Sequence, residues 1–326
     1  MRISDMKGDG SVSVRLEGGL GDHVLGMRVL RFVRARYPSH QIIAYSDCGG
    51  HSTQLRVASM SPLVSEVVPV YQQSAPKRGE VGTLANVRRE DMEKMLAHDL
   101  FIDAHGVGLF ARAATVLNVP IFDILAHRPE LCISTEDLQN ATRLLADHGE
   151  AIFVGLNLTK YGVDFLRRHE SRLMYIPRRL LEHPKVVVLN FFTSSYAFPH
   201  WPERERALRE QNSRGEYELL KEYCQLSDRI VPCIDLPVGT TMALLRQCRY
   251  FIGLDNGIKH LAWALDIPRT FFHPGMPSNF FVMRWMPDFH RMLRLDCADN
   301  QMNRHLWAAE KSLHHDEAPF SARDVM

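Results

Sequence analysis

Residues Val14 to Val33 read "VRLEGGLGDHVLGMRVLRFV", and the spacing of their apolar positions changes partway along. The preceding "SVSVRL" alternates every second residue and is rich in β-branched side chains, which predicts a strand. After the Gly-Gly-Leu-Gly turn, Leu25, Val29, Phe32 and Val33 follow helical spacing, with Arg28 and Arg31 on the other side. "HQIIAYS" predicts a second strand ending near Asp47. Strand, helix and strand in so short a span make a βαβ unit, which favours a parallel sheet covered by helices.

The alternation continues. "LVSEVVPV" and "DLFIDAH" predict strands, "NVRREDMEKMLA" a helix, and "EDLQNATRLLADHG" a helix with an acidic start and a glycine stop. "AIFVGLN" and "KVVVLNFF" then form apolar runs of buried-strand length, with a helix near 177–182 between them. "ERERALREQ" and "EYELLKEYCQL" predict helices and "RIVPCI" a short strand. Thr240 stands where it would N-cap "TMALLRQC", ahead of the strand "RYFIGLD" and the turn and helix of "DNGIKHLAWAL". The expected fold class is α/β in two successive halves, residues 1–148 and 149–326.

Composition narrows the function classes. A chain of 326 residues, 45% hydrophobic and 24% charged, can fill two cores. Thirty-nine basic against 38 acidic residues leave a net charge of +1, so no nucleic-acid partner is expected. The six cysteines, Cys48, Cys132, Cys224, Cys233, Cys248 and Cys297, form no CxxC pair, so scattered thiols in a reducing compartment and no metal site are expected. "MRISDMKGDG" lacks the apolar core of a signal peptide, and no uncharged run approaches the ~18 residues of a membrane span. A cytoplasmic chain is the expectation.

The opening turn carries the first chemistry. Gly18, Gly19 and Gly21 permit positive φ, and the N–H groups of the helix that follows attract anions. Yet "GGLGDH" is not GxGxxG, and Asp22 places a negative charge where a phosphate would sit. Asp22 suits a general base beside an acceptor hydroxyl, or a helix-capping carboxylate; both readings stand on the residues alone. Gly19, Gly21 and His23 share that corner, and His105 closes "DLFIDAH" either facing an acceptor or packed in the core.

The turn Asp255-Asn256-Gly257 carries the second. Backbone N–H groups of Asn256, Gly257 and Ile258, with the Lys259 ammonium, form a set able to hold a diphosphate leaving group without a metal. The plainer reading makes Asp255 an N-cap and His260 a core histidine. Lys160 follows "AIFVGLN" by three residues, at the strand's C-terminal mouth, where α/β ligands bind. Asn157 and Thr159 share that mouth, and Thr240 and Thr241 are further nucleotide candidates; a solvated surface lysine is the alternative for Lys160.

These two turns, in this order and about 230 residues apart, resemble those of the heptosyltransferase family, inverting GT-B glycosyltransferases that use ADP-heptose. The family's "GDxxL" turn and following "YP" are matched by Gly21, Asp22, Leu25 and "RARYP", and its "DLVIDLHG" strand by "DLFIDAHG". Its "ADLVIGxDSGxxHLAAALGxP" segment is matched by "CRYFIGLDNGIKHLAWALDIP", Cys248 to Pro268.

The resemblance implies two Rossmann-like domains with parallel sheets facing a central cleft, 1–148 on the acceptor side and 149–326 binding the nucleotide sugar. The last helix either stays with the second domain or returns to the first. It implies transfer of heptose from ADP-heptose, a cosubstrate rather than a cofactor. The acceptor is a hydroxyl or amine of lipopolysaccharide core, a small metabolite or a protein, with peripheral membrane contact through such an acceptor. Asp22 matches the base, Asp255 the aspartate near the sugar, Gly257 the diphosphate neighbour, and His260 the motif histidine. Asn256 departs from the family's Ser or Thr. The family's basic residue before "WP" has no clean match: Lys160, Arg168 and Arg172 are candidates, while "PHWP" carries Pro199 in the lysine's place. A sugar-nucleotide epimerase of the same layout and a non-catalytic nucleotide-sugar binder are the alternatives.

Overall fold

The computed structural model describes residues 10–47, 52–71, 87–104, 106–194, 203–273 and 291–314, and separates into two units between Cys132 and Ile133. The first unit runs β1 (Ser11–Glu17), α1 (Leu20–Gly26), α2 (Val29–Arg36), β2 (Gln41–Asp47), α3 (Ser52–Ser59), β3 (Glu66–Val70), α4 (Arg89–Leu96), β4 (Leu100–Asp103), α5 (Gly106–Leu117) and α6 (Ile121–Ala126). Its strands pair in parallel in the order β3-β2-β1-β4.

The alternation in β1 sorts side chains between two covered faces. Val12, Val14 and Leu16 join Leu30, Val33, Ile42, Ala44 and Ile102 in one core. Ser13, Arg15 and Glu17 face the other way and are buried as well. Ser13 Oγ donates to the Met95 carbonyl of α4 at 2.7 Å. One expectation fails here: the helix after the glycine turn is two helices, broken at Met27 and Arg28. Arg28 is buried and donates from Nη1 to the Leu125 carbonyl at 2.9 Å.

The second unit runs α7 (Thr135–Leu144), β5 (Ile152–Asn157), α8 (Val163–Leu173), α9 (Tyr175–Leu180), β6 (Val186–Phe192), α10 (Glu203–Cys224), β7 (Ile230–Ile234), α11 (Val238–Gln247), β8 (Cys248–Leu254), α12 (Gly257–Ala264), β9 (Arg269–His273), β10 (Met292–Arg294) and α13 (Asp299–His314). Its six parallel strands are ordered β10-β9-β8-β5-β6-β7. Every residue of β6 is buried, as its unbroken apolar run requires in a sheet covered on both faces.

Three boundaries differ from expectation. Helix α7 packs on α11, so the division between units falls well before residue 148. The two helices expected between β6 and β7 are the single 22-residue α10, which continues through Ser213, Arg214 and Gly215. The closing helix α13 packs on α9, β8 and β10, within the second unit.

Both sheets contain a reversal of strand order. The chain lays β5, β6 and β7 outward in one direction, then places β8 on the other side of β5. In the first unit the same reversal lies between β1 and β4. At such a point the loops after neighbouring strands diverge and leave a crevice at the carboxyl ends, the general ligand position in open α/β sheets.

Candidate active site

The reversal between β5 and β8 brings together residues 95 positions apart. Asp255 follows β8 and Lys160 follows β5; Lys160 Nζ lies 3.1 Å from Asp255 Oδ2 and also donates to the Asp255 carbonyl. From the first turn of α12, Lys259 Nζ reaches Asp255 Oδ1 at 2.6 Å, and His260 Nε2 stands 4.0 Å from the same oxygen. Burial by itself would raise the Asp255 carboxyl, but Lys259 and Lys160 outweigh it and hold the group well below the ordinary carboxylate range. The two lysines differ in access. Lys160 keeps 35% of its side chain exposed, whereas Lys259 keeps none and lies 4.2 Å over the Phe271 ring. Lys259 therefore acts on anything in the crevice through Asp255, not by the direct contact expected for it.

Asn256, not Asp255, is the N-cap of α12. Its Oδ1 accepts from Ile258 N–H at 3.1 Å and Lys259 N–H at 3.3 Å. The Ile258 N–H is one of the donors that a bound diphosphate was expected to use; with this cap in place it is already satisfied, and Gly257 is the first residue of the helix. Asn256 Nδ2 reaches across to Asn157 Oδ1 and to the Thr159 carbonyl at 2.9 Å. Ser or Thr could cap the helix but has no amide to make that second link, which accounts for Asn in this sequence.

Asn157 and Thr159 are fastening residues. Asn157 is 2% exposed and donates to the Phe191 carbonyl of β6 at 2.6 Å, and Thr159 Oγ1 donates to Asn157 Oδ1 at 3.3 Å. Together they tie the ends of β5, β6 and β8 instead of presenting polar groups outward. Thr240 is also corrected. Pro237 occupies the cap of α11, and the buried Thr240 hydroxyl meets Asp137 Oδ1 of α7 at 3.2 Å. Thr241 is buried in the same turn.

Two carboxylates that fasten these strand ends do not stand out in the sequence. Glu216 of α10 accepts from the N–H groups of Lys160 and Gly162 at 3.0 and 2.5 Å. Asp235, after β7, accepts from Thr193 Oγ1 at 2.6 Å and from Ser194 N–H at 2.8 Å, across the neighbouring end of β6. Both contacts join segments more than 40 residues apart, and only the local residue types show in the sequence.

In the first unit, Asp22 Oδ2 accepts from Gly19 N–H at 2.9 Å, so the carboxylate does serve the start of α1. Asp22 is nevertheless exposed, and Gly21 beside it is partly so. Gly18 has φ +89°, and a Cβ there would stand 2.6 Å from Asp22 Oδ2; glycine is what lets the carboxylate fold back. His23 is not on an acceptor face. It is fully buried, with Nδ1 3.2 Å from the Gly19 carbonyl and Nε2 2.7 Å from Ser46 Oγ. A carbonyl only accepts, so Nδ1 carries a proton there, and the imidazole is fastened in the core at both nitrogens. His105 lies outside the described residues, as do Pro199 and the rest of "PHWP". At the β1–β4 reversal the fully buried Arg15 pairs with Glu17 at 2.8 Å and Asp103 at 3.3 Å.

No protein-family model matches the chain, and none of the curated proteins does. Solved structures are similar in fold. A family 9 glycosyltransferase from Veillonella parvula is 14% identical with a TM-score of 0.62, over 93% of this chain and 97% of that one. The E. coli ADP-heptose lipopolysaccharide heptosyltransferase II is 14% identical with a TM-score of 0.60, over 94% and 100%. The E. coli heptosyltransferase WaaC, in a structure with ADP, is 16% identical with a TM-score of 0.51, over 93% and 99%. In fold, then, this chain resembles the heptosyltransferases: two parallel-sheet α/β units of the GT-B class.

Proposed function

We propose that this chain is a glycosyltransferase of the heptosyltransferase type, moving heptose from ADP-heptose to an acceptor hydroxyl or amine with inversion. The observation that carries the reading is the meeting of Lys160 and Asp255 at the β5–β8 reversal. A part-exposed ammonium held on a carboxylate can exchange that carboxylate for a diphosphate oxygen. The buried Lys259 stays on Asp255 and keeps it ionised and turned toward the sugar hydroxyls.

In this reading Asp22 takes the acceptor proton as the acceptor oxygen or nitrogen bonds to the anomeric carbon. The bond from that carbon to the diphosphate breaks on the opposite face, and its electron pair leaves with the nucleoside diphosphate. Lys160 and the N-terminal dipole of α12 meet the growing negative charge. Lipopolysaccharide core is the acceptor favoured by the likeness to the E. coli enzymes, and a cytoplasmic setting belongs to the same proposal.

Thermal-shift titration with ADP, UDP, GDP and their sugars tests the donor. ADP and ADP-heptose are expected to raise Tm, and stabilisation by UDP but not ADP would overturn the heptose donor. Asp22→Asn should abolish transfer while donor still binds; near-normal turnover removes Asp22 from the role. Lys160→Ala should weaken donor binding by roughly ten- to a hundredfold, the worth of a hydrogen bond to a charged group. An epimerised nucleotide sugar formed without acceptor would mark an epimerase, and binding with neither hydrolysis nor transfer a non-catalytic binder.

A further inference from the structure

We infer that Glu216 is a positioning residue for Lys160: its buried carboxylate gathers the main-chain N–H groups of residues 160–162 and fixes where the donor-binding ammonium begins. The inference rests on the donor role proposed for Lys160.

Glu216 is 4% exposed and lies on α10, more than 50 residues along the chain from the segment that it holds. Its Oε1 accepts from Lys160 N–H at 3.0 Å and Gly162 N–H at 2.5 Å, and the N–H of Tyr161 bears on the same carboxylate. Successive N–H groups converging on one anion form a nest, the geometry that otherwise receives a phosphate or carboxylate ligand. Here a side chain of the protein fills it.

The backbone is built for this approach. Gly162 has φ +89°, which turns its N–H toward α10 before α8 begins. Gly215 precedes Glu216 inside a long helix, where glycine costs about 1 kcal/mol against alanine. A Cβ at Gly215 would stand 2.9 Å from Val163 Cγ1, so glycine lets α10 close on the start of α8.

Helix capping explains only part of these contacts. Gly162 is the N-cap of α8 and its N–H is one of the orphaned donors, whereas the N–H of Lys160 lies ahead of the helix and is held by the same oxygen. Lys160 is thus fixed at its main chain by Glu216 and at its ammonium by Asp255. When a diphosphate takes the ammonium, the main-chain hold persists, and less freedom remains to be lost on binding.

The test is a double-mutant cycle on the full chain, Glu216→Gln and Lys160→Ala singly and together, read as ADP affinity by calorimetry. Amide hydrogen exchange across 160–162 is followed without nucleotide. The glutamine keeps an oxygen for the gathered N–H groups but removes the negative charge that holds them. Glu216→Gln is expected to weaken ADP about tenfold, raise the donor KM more than it lowers kcat, and speed exchange at 160–162. On the Lys160→Ala background it should weaken ADP no further. ADP affinity unchanged in Glu216→Gln, or weakened equally on both backgrounds, would overturn the inference. If the wild-type chain binds no nucleoside diphosphate, the donor reading fails, and exchange still decides the clamp: unchanged rates at 160–162 reject it. Should Glu216→Gln not fold, Glu216→Asp, which keeps the charge on a shorter arm, is read through the same cycle.

Discussion

Lys259 Nζ lies 2.6 Å from Asp255 Oδ1, and none of the lysine side chain is exposed. Asp255→Asn therefore takes its carboxylate from a buried ammonium, and breaking a buried pair from one side costs about 3–5 kcal/mol. Lys259→Met is milder, because Lys160 still serves Asp255 and a methionine can lie on the Phe271 ring. The double variant should recover most of the loss of Asp255→Asn. Urea denaturation midpoints of the three variants check the order.

Acid should act on this unit in two stages. Burial lowers His305 from 6.5 to about 4, its Nδ1 lying 2.7 Å from Thr270 Oγ1. The unfolded chain then takes up that proton first, so stability falls between pH 6.5 and about 4 by on the order of 3 kcal/mol, and no further below. Asp255 is displaced in the acidic sense. Burial works to raise it, but the two lysines prevail, so its contribution is full above the unfolded value of about 4 and lost as pH falls below that. Denaturant midpoints from neutral pH into acid should show both stages, and His305→Gln should flatten only the first.

How much of this could be read from the residues depends on the range of each interaction. The buried runs of β5, β6 and β8 and the alternation of β1 identify themselves, because covered parallel strands need apolar positions at short spacing. The break at Arg28 does not, since its reason is the carbonyl of Leu125, far along the chain. Gly215 resembles a helix stop until Val163 is seen against it. At the site, Asp255, Lys160 and Lys259 stand out by charge and position. The roles of Asn256, Asn157 and Glu216 come from contacts 50 to 100 residues apart, and spacing alone does not carry them.

Variants at the Asp22 corner separate its capping contact from the base role proposed for it. Asp22→Asn retains an oxygen to accept from Gly19 N–H, so its stability should stay within about 0.5 kcal/mol, while Asp22→Ala loses about 1 kcal/mol. Gly18→Ala forces a side chain onto φ +89° and against the carboxylate, which should cost more than about 1 kcal/mol and displace Asp22. Thermal melts beside turnover read the difference: Asp22→Asn stable and inactive, Gly18→Ala unstable and inactive. Equal melts for Asp22→Asn and Asp22→Ala would show that the Gly19 contact contributes little.

Arg15 gives the sharpest test in the first unit. Its guanidinium is fully buried between Glu17 at 2.8 Å and Asp103 at 3.3 Å, where the strand order reverses beside β1. Arg15→Met fills similar volume but removes the cation that Glu17 and Asp103 share. Breaking a buried pair from one side costs about 3–5 kcal/mol, more than the pair itself contributes. Adding Glu17→Gln should restore part of the stability by removing one of the two charges. Urea unfolding of the three chains at neutral pH decides it. A loss under about 1 kcal/mol would show that Arg15 fills space and does not neutralise the strand ends.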